Sequence, residues 1–325
     1  MRRTDGFTLL ELMIAGLILA VVTTYLLQTF TVSEKAYAVV EDVTEAQQSM
    51  RAIADLIEKD IRHAGFMVTE AGAVCGLDEF NSPDRLYLSD ADAIQVGDLD
   101  PDLGSGFAGN NVGSGLNTLN LDLVLEKADP DPAYDTNGDG TLDSDFQVDG
   151  GVIIVDRDNP DRGTACGTVV QVTIGASEIR VDIETPPLAP LAAGSADLIA
   201  IPAHEYVLNG LILMRDGLEL VSGVEDLQIA YFVDANADNL VDPGEYLGDG
   251  IGADYQANQV DATDIRELRV NLVTRTQLQD RDFVGGQFQT TENRLAIAGN
   301  DGFRRRVHTS TALLRNTFNR AGSGS

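Results

Sequence analysis

Apolar residues are distributed unevenly along this chain, and the unevenness predicts its elements. From Phe7 to Phe30 almost every position is apolar, the charged exception being Glu11. At about 1.5 Å per residue this run makes a helix of roughly 36 Å, long enough to cross a bilayer core of about 30 Å. Beyond it, from Val32 to Arg62, there is no Pro and no Gly. Val39, Val43, Ala46, Met50, Ile53, Ile57 and Ile61 recur there at spacings of three and four, the signature of one apolar helix face. A strict heptad is not kept, so the second half is expected to pack on a globular domain rather than in a coiled coil. His63-Ala64-Gly65-Phe66 ends the helix, with Gly65 at C′.

After Gly65 the period changes. Short strand candidates are Arg85–Leu88, Leu119–Leu125, Val152–Val155, Thr168–Ile174, Leu211–Met214 and Leu218–Val221. Three later segments alternate more cleanly. Leu227, Ile229, Tyr231 and Val233 share a face, as do Leu268, Val270 and Leu272, and as do Val307, Thr309, Thr311 and Leu313. The expected fold class is α+β: a long N-terminal helix, half of it transmembrane, whose second half packs on the apolar face of an antiparallel sheet with long acidic loops. The expected divisions are 1–6, 7–30 in the membrane, 31–65 amphipathic helix, 66–320 globular, and 321–325 a loose tail. Gly104–Gly115 reads as an exposed loop.

Charge narrows the partners. The chain has 325 residues, 52 acidic against 22 basic side chains and a net charge of -30. A phosphate backbone must be met by clustered Lys and Arg, so a nucleic-acid partner is disfavoured, as is broad adhesion to anionic lipid. Residues 63–265 hold 38 acidic and 6 basic side chains. Arg2 and Arg3 precede the apolar run, which keeps that end cytoplasmic and places everything after Phe30 outside. No small-residue cleavage site closes the run, so release by signal peptidase is not expected.

Glu11 is the anomaly, because a carboxylate inside a membrane costs about 2.5 kcal/mol or more unless paired. It belongs to Gly6-Phe7-Thr8-Leu9-Leu10-Glu11-Leu12, which resembles the class III signal of type IV prepilins and type II secretion pseudopilins. The resemblance implies a leader of residues 1–6, cleavage between Gly6 and Phe7 by a prepilin peptidase, and N-methylation of the new terminal Phe7. Glu11 would then pair with the Phe7 ammonium of a neighbouring subunit, so that its burial becomes tolerable only in the filament. Asp5 departs from the basic or neutral residue usual there. Asp60–Phe66, Gly223–Tyr231 and Arg305–Asn316 further resemble PilW-type minor pilins. That family implies a pilin at or near the pilus tip that helps prime assembly. Its partners would be other minor and major pilins and a tip adhesin, and it would lie in the inner membrane, with a periplasmic domain, before joining an extracellular pilus. The J-type pseudopilins of type II secretion share the outline and are the nearest alternative; residues 70–220 match neither.

Two acidic loops carry candidate chemistry. Asp234, Asn236, Asp238, Asp242 and Glu245 stand at positions 1, 3, 5, 9 and 12 of a calcium-loop spacing, with the Leu240 carbonyl at 7 and Asn239 in place of the usual Gly at 6. Alternate side chains of such a tight coil point inward, and a terminal Glu can bind in bidentate fashion. No helix pair flanks it, so a loop between strands is expected; a solvated acidic turn is the plainer reading. The second run offers Asp135, Asn137, Asp139, Thr141 and Asp143 with Gly140 at 6, but Phe146 stands where the last ligand belongs, so Asp145 or Asp149 would have to serve. Asp156–Asp161 is weaker, being interrupted by Pro160. Calcium is therefore the expected cofactor, and a calcium-dependent binding module is the functional reading from a different class.

Cys75 and Cys166 lie beyond the membrane, where oxidation is permitted. One disulfide is expected, with two free thiols the other reading. His63, His204 and His308 are scattered, and no serine elbow, phosphate loop or H-E-x-x-H occurs. No enzymatic activity is expected.

Overall fold

The computed structural model describes residues 8–66, 68, 72–90, 122–126, 146–156, 164–173, 178–185, 198–234, 236, 238, 240–242, 245–247, 262–280, 283–285, 290–296 and 301–317. The Gly6–Phe7 junction, the 104–115 run, the 135–145 loop, the stretch 157–163 and the tail 321–325 lie outside the described residues.

One helix, α1 (Leu9–His63), opens the chain. Thr8 is its N-cap, and Gly65 follows its C-terminus at φ +81, the left-handed backbone that glycine adopts without strain. A side chain at Gly65 would also press on Ala73 and Asn316. The helix is one element but two environments. Met50, Ile53, Ala54, Ile57 and Ile61 are buried, and Val39, Val43 and Ala46 are half-buried, following the predicted stripe. Leu9 through Phe30 is bare.

Two antiparallel sheets follow. The first contains β1 (Val74–Leu77), β2 (Arg85–Leu88), β3 (Asp122–Glu126), β4 (Gly151–Asp156), β5 (Thr164–Thr173), β6 (Glu178–Thr185), β7 (Leu198–Asn209), β8 (Ile212–Arg215) and β9 (Leu218–Ser222). Its order is β1-β2-β7-β4-β5-β6-β3, with β8 pairing β7 and β9. The second contains β10 (Val224–Val233), β11 (Tyr246–Leu247), β12 (Ile265–Arg275) and β13 (Arg305–Leu313), in the order β11-β10-β12-β13. The helix lies mainly on β13 and β12 and touches β9.

The main core joins α1 to both sheets, through Ile57, Ile61, Leu86, Leu88, Tyr206, Leu227, Ile229, Tyr231, Leu268, Val270 and Leu272. A smaller core of Cys75, Tyr87, Ile153, Val155, Cys166, Ile201 and Ala203 fills the curl of the first sheet, which brings β1 against β5. Cys75 and Cys166 are bonded across that curl. Three strands lie between β1 and β5 in the sheet path, so the bond closes one side of the sheet onto another and restricts the unfolded chain's freedom over a long loop.

The last strand differs from expectation. Val307, Thr309, Thr311 and Leu313 do share a face, but it is the exposed one. The residues that pair with the helix-facing Leu268, Val270 and Leu272 are Ala312, Ser310 and His308. Because β13 lies directly beneath α1, small or polar side chains occupy the narrow gap, and the larger apolar ones turn outward. Nor were β1, β6 and β7 expected from the sequence. β7 holds Pro202, which argues against a central strand. At Pro202 only β4 pairs with β7, since β2 joins from His204 onward, so the missing N–H leaves no gap in a ladder.

Candidate assembly face and acidic loops

The first turn of α1 resolves the problem of Glu11 locally. Its carboxylate accepts the Thr8 backbone N–H at 2.9 Å and the Thr8 hydroxyl at 2.9 Å, while the Glu11 N–H donates to the Thr8 hydroxyl oxygen at 3.3 Å. This reciprocal capping box satisfies donors that the helix start would otherwise leave bare. Further along, Thr23 and Thr24 donate their hydroxyls to the carbonyls of Leu19 and Ala20 at 2.8 Å, and Thr29 to Tyr25 at 2.9 Å. These three hydroxyls of the apolar run are thus satisfied within the helix, as lipid requires. What remains is an outward apolar surface from Leu9, 78% exposed, to Phe30, 60% exposed, with none of it covered by the rest of the chain.

The helix exit is clamped. Asp60 is buried on the apolar stripe between Ile57 and Ile61; it accepts the Tyr206 hydroxyl at 2.6 Å and the Arg215 guanidinium at 2.8 Å. Burial and the neighbouring Asp60 charge hold the Tyr206 proton far above its ordinary range. Asp216, next to Arg215, receives the Glu205 N–H at 2.8 Å and lies 2.6 Å from His204 Nδ1, with Asp90 on the far side of that ring at 3.8 Å. Asn316 caps the end, donating to the carbonyls of His63 at 3.1 Å and Ala64 at 3.0 Å. At the other end of the docked half, Asp42 receives the N–H groups of Gln277 and Leu278, both at 3.3 Å. None of these partners was foreseen; the one signal in the sequence that could have found them is an aspartate on an otherwise apolar helix face. His63 is exposed at the helix end, and His308 is half-buried on β13.

The loop from Asp234 to Glu245 joins β10 to β11, as a loop between strands, and closes where the Val233 N–H meets the Glu245 carbonyl at 2.9 Å. Asp234 is buried against Arg266 at 3.4 Å; Asn236, Asp238, Leu240 and Asp242 are exposed, and Glu245 is half-buried. The donors turn onto backbone amides. Asp234 and Asn236 accept the Asp238 N–H at 3.0 and 2.9 Å, Asp238 accepts Leu240 at 2.8 Å, and Glu245 accepts Asp242 at 2.7 Å. Every potential ligand in the set is an oxygen, Asn236 offering its Oδ1, which suits a hard cation. Among the described residues, no three His, Cys, Asp or Glu side chains converge to hold a metal.

A long helix, bare and apolar over its first part and docked on antiparallel sheets over its second, is the α+β arrangement the sequence led us to expect. Residues 1–27 match the prokaryotic N-terminal methylation motif, and residues 207–316 match the family described as type IV pilus-assembly protein W. The second match spans β9, β12 and β13, the strands on which the helix docks. Among solved structures, it is similar to a type IV-like pilin from Thermus thermophilus, at 10% identity and a TM-score of 0.35, over 83% of this chain and 97% of that one. No curated protein matches it.

Proposed function

We propose that the protein is a minor type IV pilin that waits in the inner membrane with its domain outside, then enters a filament at or near the tip and helps initiate assembly. The observation that carries this is the division of α1 into a docked half and a bare apolar half. Such a surface is stable only in lipid or against other apolar helices. In the filament the helices of neighbouring pilins cover it, and Glu11 exchanges its Thr8 cap for the Phe7 ammonium of a neighbour, an ion pair that low dielectric strengthens.

The test combines processing and position. Gly6→Leu in the full chain is expected to leave an uncleaved precursor in the inner membrane, whereas the parent starts at Phe7; normal processing of the variant sinks the reading. Antibody labelling is expected at filament ends. Label along the whole shaft, or recovery with secretion pseudopilins instead of pilins, overturns the tip assignment.

The same reading assigns calcium to the Asp234–Glu245 loop. An ion there would replace the backbone amides as partner of these carboxylates and tie β10 to β11. In detergent, calcium is expected to raise the melting temperature of the full chain, by mass action, and Asp238→Ala with Glu245→Gln to diminish that rise. An equal shift in parent and double variant rejects the loop as a site.

A further inference from the structure

Most strand edges in this molecule are short or covered. β1 curls against β5 and is fastened there by the disulfide, β11 has two residues, and β9 lies against α1. β10 is closed beyond β11 by Asp84, whose N–H donates to the Leu227 carbonyl at 2.8 Å and whose carboxylate accepts the Ile229 N–H at 2.7 Å. β13 is different. It ends the order β11-β10-β12-β13, runs for nine residues and keeps an unbroken register with β12. It has none of the prolines, bulges or lysines that ordinarily blunt an edge.

The direction of its backbone groups follows residue by residue. At one end of the β12–β13 ladder the Thr276 N–H donates to the Arg304 carbonyl, and at the other the Leu314 N–H donates to the Arg266 carbonyl, both at 2.9 Å. Hydrogen-bonded positions alternate along an antiparallel pair, so Arg306, His308, Ser310 and Ala312 spend their backbone groups on β12. Val307, Thr309, Thr311 and Leu313 aim theirs at the open edge, over about 20 Å. Among the described residues, no strand or loop bonds to those outward groups. The same four side chains stand on the face away from α1; Val307 is 41% and Leu313 46% exposed, and both threonines are exposed. Exposed Arg306 and Arg315, neither of them in an ion pair among the described residues, bracket the stripe, whereas Arg304 is held by Asp280 and Arg305 by Glu225. Residues 266–325 carry 10 basic and 5 acidic side chains, in a chain whose net charge is -30.

We propose that the edge of β13 docks an extended segment of another protein subunit, which joins the second sheet as a further strand and carries carboxylates at its ends. Main-chain hydrogen bonds to the four odd-numbered residues hold that strand. Its β-branched side chains lie beside Val307, Thr309, Thr311 and Leu313, and its terminal carboxylates answer Arg306 and Arg315. A second copy of this chain is the poorer partner. Anchored in the same membrane it presents β13 in the same direction, which sets Arg306 beside Arg306 and Arg315 beside Arg315. The site makes no use of the bare half of α1, so it stands or falls apart from the filament reading.

The probe is a capped synthetic peptide alternating Val and Thr between a first Asp and a last Glu, titrated into the full chain in detergent micelles. The expected result is saturable binding, with amide exchange slowed at Val307, Thr309, Thr311 and Leu313 and unchanged at His308, Ser310 and Ala312. Thr311→Pro removes an edge N–H that no bond within the chain uses, so it is expected to abolish binding and leave the melting temperature nearly unmoved. Arg306→Glu with Arg315→Glu is expected to weaken binding about tenfold, through two exposed charge pairs, and to favour a peptide ending in Lys at both ends. Absence of saturable binding, binding without slowed exchange at the four odd-numbered amides, or binding that a folded Thr311→Pro chain retains, overturns the site. Equal binding of the acidic and Lys-ended peptides overturns the partner's chemistry. Slowed exchange at the same amides that grows with protein concentration in the absence of peptide makes a second copy the occupant and overturns the proposal. Should Thr311→Pro fail to fold, the exchange pattern of the parent chain decides.

Discussion

The two halves of α1 obey the same helical periodicity and meet opposite fates. From Met50 to Ile61 the apolar stripe is matched by β9, β12 and β13, and even its one carboxylate, Asp60, is answered by Tyr206 and Arg215. From Leu9 to Phe30 no other part of the described chain covers the side chains, and the polar closures are local ones, between Thr8 and Glu11 and from Thr23, Thr24 and Thr29 to carbonyls of the helix itself. The docked half therefore reports on folding and the bare half on association, and substitutions can separate the two.

The sharpest separation is expected from a matched pair. Ile57→Ala, at a site 1% exposed, should lower stability by about 3–4 kcal/mol through the cavity it leaves. Ile18→Ala, 57% exposed, should change thermal unfolding by less than about 0.5 kcal/mol yet reduce filament incorporation. Calorimetry of both chains in detergent checks the first half and pilus shearing the second; comparable unfolding losses would erase the distinction. Next, Asp60→Ala is expected to cost about 3 kcal/mol by stranding Arg215 and the Tyr206 hydroxyl, measured as a fall in denaturant midpoint. Its signature is loosening of the helix exit, seen as faster amide exchange near Ile61.

A smaller effect sharpens the contrast by pH. Burial holds the Asp226 carboxyl at about 6, against the pull of Arg294. A carboxyl raised on folding contributes stability at pH values below its unfolded pKa, and that contribution is lost as pH climbs through the folded value. Between pH 4 and 7, then, this group should weaken the fold by up to about 2–3 kcal/mol. Asp226→Asn should flatten that fall in melting temperature, and an undiminished slope in the variant would refute it. The smallest change concerns the bare half. Thr8→Ala removes a cap worth about 1 kcal/mol to the helix start. Folding of the domain should be untouched, while Thr8→Ser restores the parent; fraying read by exchange at Leu9–Leu12 is the measurement.

Much of this division can be read along the chain. The unbroken apolar run, the stripe from Val39 to Ile61 and the glycine that ends the helix need only local physics, and the alternation of β10 and β12 names their buried faces. The orientation of β13 could not be read in that way. Its larger apolar residues point outward because the helix fills the space beneath, and only the docked structure shows that His308, Ser310 and Ala312 are the ones that fit. β7 was obscured by Pro202, whose harmlessness depends on where β2 begins. Of the site residues, Glu11 announces itself as a charge in an apolar segment, and the β10–β11 loop by its spacing. The buried bond from the Asn293 amide to Asp78 spans 215 residues, and no local pattern marks it.

Asn316 fastens the end of α1 from near the other terminus of the chain. Synthesis runs from the helix toward that asparagine, so the element made before all the strands receives this bracket after them. A chain that stops even a few residues short of position 316 would keep the whole helix and lose the bracket at its exit.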